Sequence, residues 1–161
     1  MGTKILFLDI DGVLNYYEAT ARCGIYIGIE DEKVALLKKI VEATGAKIVL
    51  SSTWRLGMDN KGHRLEEHVP YLKKKLGKYG LEIYDKTPVC SNHRGREIDS
   101  WLKNHPEVEQ WVVLDDEWFI DFNQYDIAPH LVQTYFYGSG LTEDDVEKAI
   151  KILNGELNYE R

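Results

Sequence analysis

The sequence predicts an α/β domain organised around a mainly parallel sheet. Three observations lead there: short apolar runs alternate with amphipathic segments, several of those runs stop abruptly at polar or acidic residues, and no repeat, low-complexity tract or linker breaks the alternation. In such sheets ligands bind outside the carboxyl ends of the strands. The residues directly after each apolar run are therefore the candidates for chemistry.

Lys4 to Leu8 reads as a buried strand that feeds an acidic loop at Asp9 and Gly12. Residues 15–30 are rich in Tyr, Gly and Ile without helical period, and Gly24 to Ile29 has the composition of a small hairpin flap. Asp31 to Thr44 places Val34, Leu37, Ile40 and Val41 on one helical face, Gly45 ends that helix, and Ala46 to Leu50 returns to strand character before Ser51. A small insertion is expected over residues 55–91. Within it Arg55 to His68 reads as an irregular loop with Gly57, Asn60 and Gly62 as breakers. Pro70 to Tyr79 reads as a helix opened by proline and stopped by Gly80, and Leu81 to Tyr84 as a short strand.

Ser91 to Asn104 carries Ile98, Trp101 and Leu102 at helical spacing, with His105-Pro106 as the stop. Gln110 to Leu114 is a further buried strand ending at Asp115-Asp116, and Leu131 to Tyr135 is another. The last helix opens at Thr142 with Asp145 three residues on, and lines Val146, Ala149, Ile150 and Leu153 on its apolar face.

The 161 residues fit one ordinary domain, and 43% hydrophobic with 29% charged residues is a globular composition. No apolar run approaches the roughly 20 residues of a membrane span, and no leader pattern opens the sequence, so a soluble cytoplasmic protein is expected. Cys23 and Cys90 have no metal or redox spacing and read as two free thiols. The formal charge of −7 disfavours general affinity for nucleic-acid backbone but leaves room for a local phosphate site. His63, His68, His93, His105 and His130 show no ligand spacing.

Asp9 and Asp11 flank one residue at a strand end, and they would repel each other unless neutralised. Taken alone, Asp-x-Asp-Gly is also a turn composition. Asp115-Asp116, at the end of another strand, would join them if the two strands are neighbours in the sheet. Hard oxygen ligands of this kind suit Mg2+, whereas no His or Cys cluster supports zinc. A phosphoryl group held there also needs donors: Ser51 can supply a hydroxyl, and Arg94 or Arg96 a charge.

In order along the chain, Asp9-Ile10-Asp11-Gly12-Val13-Leu14, Ser51 after Ile48-Val49-Leu50, Arg94-Gly95 opening a helix, and Asp115-Asp116 after Val112-Val113-Leu114 resemble the four motifs of the haloacid dehalogenase-like superfamily. The third motif is more often lysine in that superfamily. Leu50-Ser51-Ser52-Thr53-Trp54-Arg55, Arg94-Gly95-Arg96-Glu97-Ile98 and Gly140-Leu141-Thr142 look like the domains of this kind in multidomain RNA-repair proteins.

The resemblance implies a Rossmann-like three-layer fold and a phosphatase that works through an aspartyl-phosphate. Asp9 would be the nucleophile and Asp11 the general acid and then base. Ser51, Ser52, Arg94 and Gly12 would bind substrate phosphate. Mg2+ would be held by the Asp9 carboxylate, the Asp11 carbonyl and Asp116, with Asp115 orienting Arg94 or a water, or serving as the alternative ligand. A dehalogenase needs no acid for its leaving group, so Asp11 points to phosphate esters.

The small insertions imply an open site suited to a large substrate such as a nucleic-acid terminal phosphate, with a small-metabolite or nucleotide phosphatase as the alternative. Tyr16, Tyr17, Trp54 and Trp118 are candidates to stack a base and Arg55, Lys61 and Arg64 to meet backbone phosphate; core or rim packing is the competing reading of the aromatics. A receiver-like phosphoacceptor domain fits less well, because there the acidic pair follows the first strand and the phosphorylated aspartate a later one. A non-catalytic domain would not need the full set.

Overall fold

A computed structural model describes residues 2–59, 67–91 and 93–157. Strand β1, Thr3–Leu8, lies at the centre of the main sheet. Two short strands, β2 (Arg22–Cys23) and β3 (Tyr26–Ile27), pair antiparallel as the expected flap hairpin. Helix α1 spans Asp31–Thr44 and ends at Gly45, whose φ of 74° is the left-handed cap conformation that glycine adopts without a Cβ penalty. Strand β4 is Lys47–Leu50, followed by a 3-10 segment at Thr53–Asp59 in the stretch expected to be irregular.

Helix α2 runs His68–Gly77 and β5 Ile83–Lys86. The helix thus starts two residues before Pro70, which still falls in the first turn, where backbone N–H groups have no intrahelical acceptor to lose. The strand is shifted toward the carboxyl end of the expected one. Helix α3 is Arg94–Lys103, β6 is Val108–Asp115, β7 is Leu131–Gln133 and α4 is Glu143–Leu153. Thr142 and Asp145 form a reciprocal capping box at the start of α4. Strand β7 stops short of Tyr135; the Thr134 N–H still donates to the Asp115 carbonyl at 2.9 Å, and its hydroxyl donates to the Gly12 carbonyl at 2.6 Å.

The five longer strands form one all-parallel sheet in the order β5, β4, β1, β6, β7. Alternation along β1 divides the core in two. Leu6 and Leu8 pack with Val34, Leu37 and Ile40 of α1, Leu72 and Leu76 of α2, and Val146, Ala149 and Ile152 of α4. Ile5 and Phe7 face the other way, against Ile98 and Trp101 of α3 with Phe122 and Ile127. The sheet is therefore the middle of three layers, and near-continuous apolar strands are what burial on both faces demands. The chain leaves β1 first toward β4 and later toward β6, so strand order reverses at β1, where the crevice of such a sheet opens.

Candidate active site

In-register pairing sets the site. Leu8 lies beside Leu50 on one side and Leu114 on the other, so the residues that follow emerge together at one edge. The ladder extends one step: Asp9 N–H donates to the Leu114 carbonyl at 3.0 Å and Ser51 N–H to the Leu8 carbonyl at 2.9 Å. Asp9, Ser51 and Asp115 are all buried although polar. The Ser51 hydroxyl has no hydrogen-bond partner among the described residues. A buried hydroxyl without one is costly and favours a ligand that supplies it.

The loop after β1 turns tightly, with the N–H groups of Val13 and Leu14 both donating to the Ile10 carbonyl. Gly12 has φ 87°, and a Cβ there would sit 2.4 Å from Oδ2 of Asp116. Only glycine fits both the backbone conformation and that contact. Asp11, exposed at its tip, is held at both oxygens: Asn15 Nδ2 donates to Oδ1 at 2.9 Å and Trp54 Nε1 to Oδ2 at 3.1 Å.

Asp9, Asp115 and Asp116 each offer a carboxylate oxygen, and the three lie within 4.8 Å of one another. Burial is the main force raising the pKa of all three; for Asp9 the neighbouring Asp115, Asp116 and Asp11 add to it. Asp115 is pushed up to about 7 by burial, against the opposing pull of the Arg94 guanidinium. Such a cluster of hard oxygens needs a cation to be fully ionised at neutral pH. The donor set fits a hard metal cation, with Asp116 half-buried and freer than Asp115 to bind one. Asp115 accepts from Arg94 Nη1 at 2.7 Å through one oxygen and from the Glu117 N–H at 3.1 Å through the other.

Arg94 is buried at the head of α3, with its Nη1 3.9 Å from Asp9, whereas Arg96 is exposed. Both arginines were candidates for a phosphate partner, and Arg94 is the one that reaches the carboxylates. Asp121 explains the helix start: its two oxygens accept from the Gly95 and Arg96 N–H groups at 2.9 Å each, so a carboxylate from a distant segment meets the positive end of α3. A side chain at position 95 would collide with it, a Cβ lying 2.6 Å from Oδ1.

Some expectations do not hold. Arg55 does not face solvent to meet a nucleic-acid backbone: it is buried, pairs with Glu97 at 2.8 Å, and donates to the carbonyls of Ser52 and Thr87. For Trp54 the packing reading holds and the stacking one does not: it is only 3% exposed, packs on His68 and forms a wall of the site. Ser52 is buried and its hydroxyl accepts from the Trp54 N–H at 3.2 Å, a turn role. Tyr16 and Trp118 are half-buried and Tyr17 is exposed. Asn60, Lys61, Gly62, His63 and Arg64 lie outside the described residues. His105 and His130 stack on Trp101 and Trp111, as packing histidines do, and both cysteines are free.

Glu97 was missed. It is buried, pairs with Arg55 and at 3.4 Å with Arg94, and accepts from the Cys90 N–H at 2.8 Å. Its spacing of three from Arg94 on one helix was the available signal.

A cavity of about 580 Å3 opens over the site, lined by Asp11, Asp116, Thr53 and Trp54 with Tyr26 of the flap and Phe136. A second, of about 380 Å3, shares Asp116 and Phe136 and adds Tyr135 and Tyr137. Among the described residues, no helix is long and apolar enough to cross a membrane.

The family described as "HAD domain in Swiss Army Knife RNA repair proteins" matches residues 5–146. No curated protein matches the chain.

Proposed function

We propose, from the premise that the chain belongs to this family of HAD domains from RNA-repair proteins, that it is a magnesium-dependent phosphatase acting on a nucleic-acid terminal phosphate. The observation that carries the reading is the convergence of Asp9, Asp115 and Asp116 within 4.8 Å of one another beside Arg94. Family membership supports phosphohydrolase chemistry, and its RNA-repair context supports the substrate.

An oxygen of Asp9 attacks phosphorus; the new O–P bond forms as the bond to the leaving alcohol breaks, and Asp11 delivers a proton to that alcohol. Water then attacks the aspartyl-phosphate, Asp11 takes the proton, and Asp9 is released with inorganic phosphate. Asn15 and Trp54 orient Asp11 for both transfers. The Arg94 guanidinium and the Ser51 hydroxyl bind the phosphoryl oxygens, while Asp115 holds Arg94 in place. Mg2+, held by Asp9, Asp116 and the Asp11 carbonyl, supplies charge neutralisation between the nucleophile and the incoming phosphate.

Hydrolysis of an aryl phosphate and of a panel of 3′- and 5′-phosphorylated oligoribonucleotides, nucleotides, sugar phosphates and phosphopeptides tests the reading. Turnover should require Mg2+, disappear in Asp9→Asn and favour an oligonucleotide end. Activity that survives Asp9→Asn or a chelator sinks the mechanism; preference for sugar phosphates sinks the substrate.

A further inference from the structure

We infer that the cavity beside the carboxylates is a base-stacking subsite that clamps the terminal nucleobase of a single-stranded nucleic acid between the flap and the segment after β7. The inference rests on the phosphatase reading above and names how the substrate would be gripped. Its volume of about 580 Å3 falls in the range of ligand pockets, roughly 300–1,000 Å3. Asp11 and Asp116 line one part, Ile25, Tyr26 and Ile27 of the flap and Phe136 line others, and Thr53, Trp54 and His68 complete the wall. A ligand whose phosphate meets the carboxylates therefore places its remaining bulk against aromatic and apolar side chains.

Aromatic surface continues outward. Tyr17, Phe136 and Tyr137 form a triangle of rings with centroids 5.2 to 6.1 Å apart, yet Tyr17 and Tyr137 remain 61% and 84% exposed. Exposed aromatics in mutual contact at the mouth of a site are what sequence-tolerant base stacking uses.

Both walls are anchored. Tyr17 N–H donates to the Phe136 carbonyl at 2.8 Å and Leu141 N–H to the Val13 carbonyl at 2.9 Å, tying the segment after β7 to the loop that carries Asp11. Gly140, with φ 66°, lets the two backbones meet: a Cβ would lie 2.7 Å from the Asn15 carbonyl oxygen. On the flap, Gly28 N–H donates to the Ala21 carbonyl, Ile29 N–H to the Tyr71 hydroxyl, and the Tyr26 ring sits 5.1 Å from His68. Walls fixed in advance lose little entropy on binding. A phosphotyrosine side chain is also aromatic; the family's RNA-repair context favours the nucleotide.

The test uses the Asp9→Asn protein and two oligoribonucleotides with 2-aminopurine as terminal base, one 3′- and one 5′-phosphorylated. Stacking should quench the fluorescence of at least one. Phe136→Ala and Tyr26→Ala, added singly, should each raise the half-saturation concentration about 5-fold or more. Tyr84→Ala, an exposed tyrosine on β5 that lines neither cavity, should change it by less than about 2-fold.

Circular dichroism checks folding, and Phe136→Leu, which keeps bulk without a ring, repeats the test if the alanine variant unfolds. No quenching, equal binding of an oligonucleotide with an abasic terminus, no effect of the ring substitutions, or tighter binding of a phosphotyrosyl peptide overturns the inference. Because quenching is read without turnover, loss of the proposed activity and loss of the base subsite are separate results.

Discussion

The indole N–H of Trp54 donates to Oδ2 of Asp11 at 3.1 Å, across 43 residues of sequence. Asp11 is otherwise exposed on its loop, so this bond and the one from Asn15 fix the direction in which the carboxyl group faces. Trp54→Phe removes the donor and keeps most of the buried ring. A hydrogen bond to a charged group contributes about 1.5 to 3 kcal/mol, so kcat should fall about tenfold or more on an alkyl phosphate. The fall should be smaller on an aryl phosphate, whose leaving group needs less help from an acid. Equal losses on both substrates would assign Trp54 a purely structural role.

The acidic cluster makes a pH prediction with a definite sign. Folding raises the pKa of Asp9, Asp115 and Asp116 above the ordinary 3.8, with Asp115 at about 7. The cation-free folded state therefore binds more protons than the unfolded chain between these values. Its stabilising contribution is present below about 4 and is lost as pH rises through about 7. In chelator, the melting temperature should be lower at pH 8 than at pH 5.5. Millimolar Mg2+ should raise it more at pH 8, where protons no longer compete. Asp115→Asn should flatten the pH slope, and a slope unchanged by that substitution would discount the cluster as its source.

Glu97 joins two arginines that would otherwise be buried together. Arg55, Arg94 and Glu97 are 3%, 8% and 2% exposed, and the carboxylate pairs with both guanidinium groups. Breaking a buried pair by removing one partner costs about 3 to 5 kcal/mol, because a charge is left unpaired. Urea unfolding of Glu97→Ala should show a loss of that size, and Glu97→Asp a smaller one. An effect below about 1 kcal/mol, the level of an exposed ion pair, would contradict the partnership.

The polar residues ending β1, β4 and β6 were legible in the sequence, because an apolar run that stops at Asp9, Ser51 or Asp115 announces both a buried strand and the edge where it ends. The flap hairpin and the cap at Thr142 were legible for similarly local reasons. Partnerships between distant segments were not. Arg55 looked like a free cation because its carboxylate, Glu97, lies on another element, and stacking stayed open beside packing for Trp54 because nothing nearby in sequence shows that it is enclosed. Asp121, the acceptor for the start of α3, lies 25 residues or more from the N–H groups it meets. Period and composition report which face of an element is buried; they do not report which side chain answers it.

Gly12 separates two effects that a substitution usually confounds. Its φ of 87° penalises any side chain, and a Cβ would additionally lie 2.4 Å from Oδ2 of Asp116. Gly12 cannot step aside easily, since the Thr134 hydroxyl holds its carbonyl and the Asn15 side chain holds its N–H, so the Asp116 side chain would have to give way. Gly45 offers the comparison: its φ is 74°, but among the described residues no atom beyond its chain neighbours lies within 4 Å of a Cβ built there. Gly45→Ala should therefore show backbone strain alone, about 1 to 2 kcal/mol, with kcat and Mg2+ dependence unchanged. Gly12→Ala should lose at least as much stability and should also raise the Mg2+ concentration for half-maximal activity about tenfold, the effect of an outer ligand-orienting contact on metal affinity. If the two variants share the same Mg2+ dependence, Gly12 serves only the turn, and Asp116 does not need that contact to bind the ion.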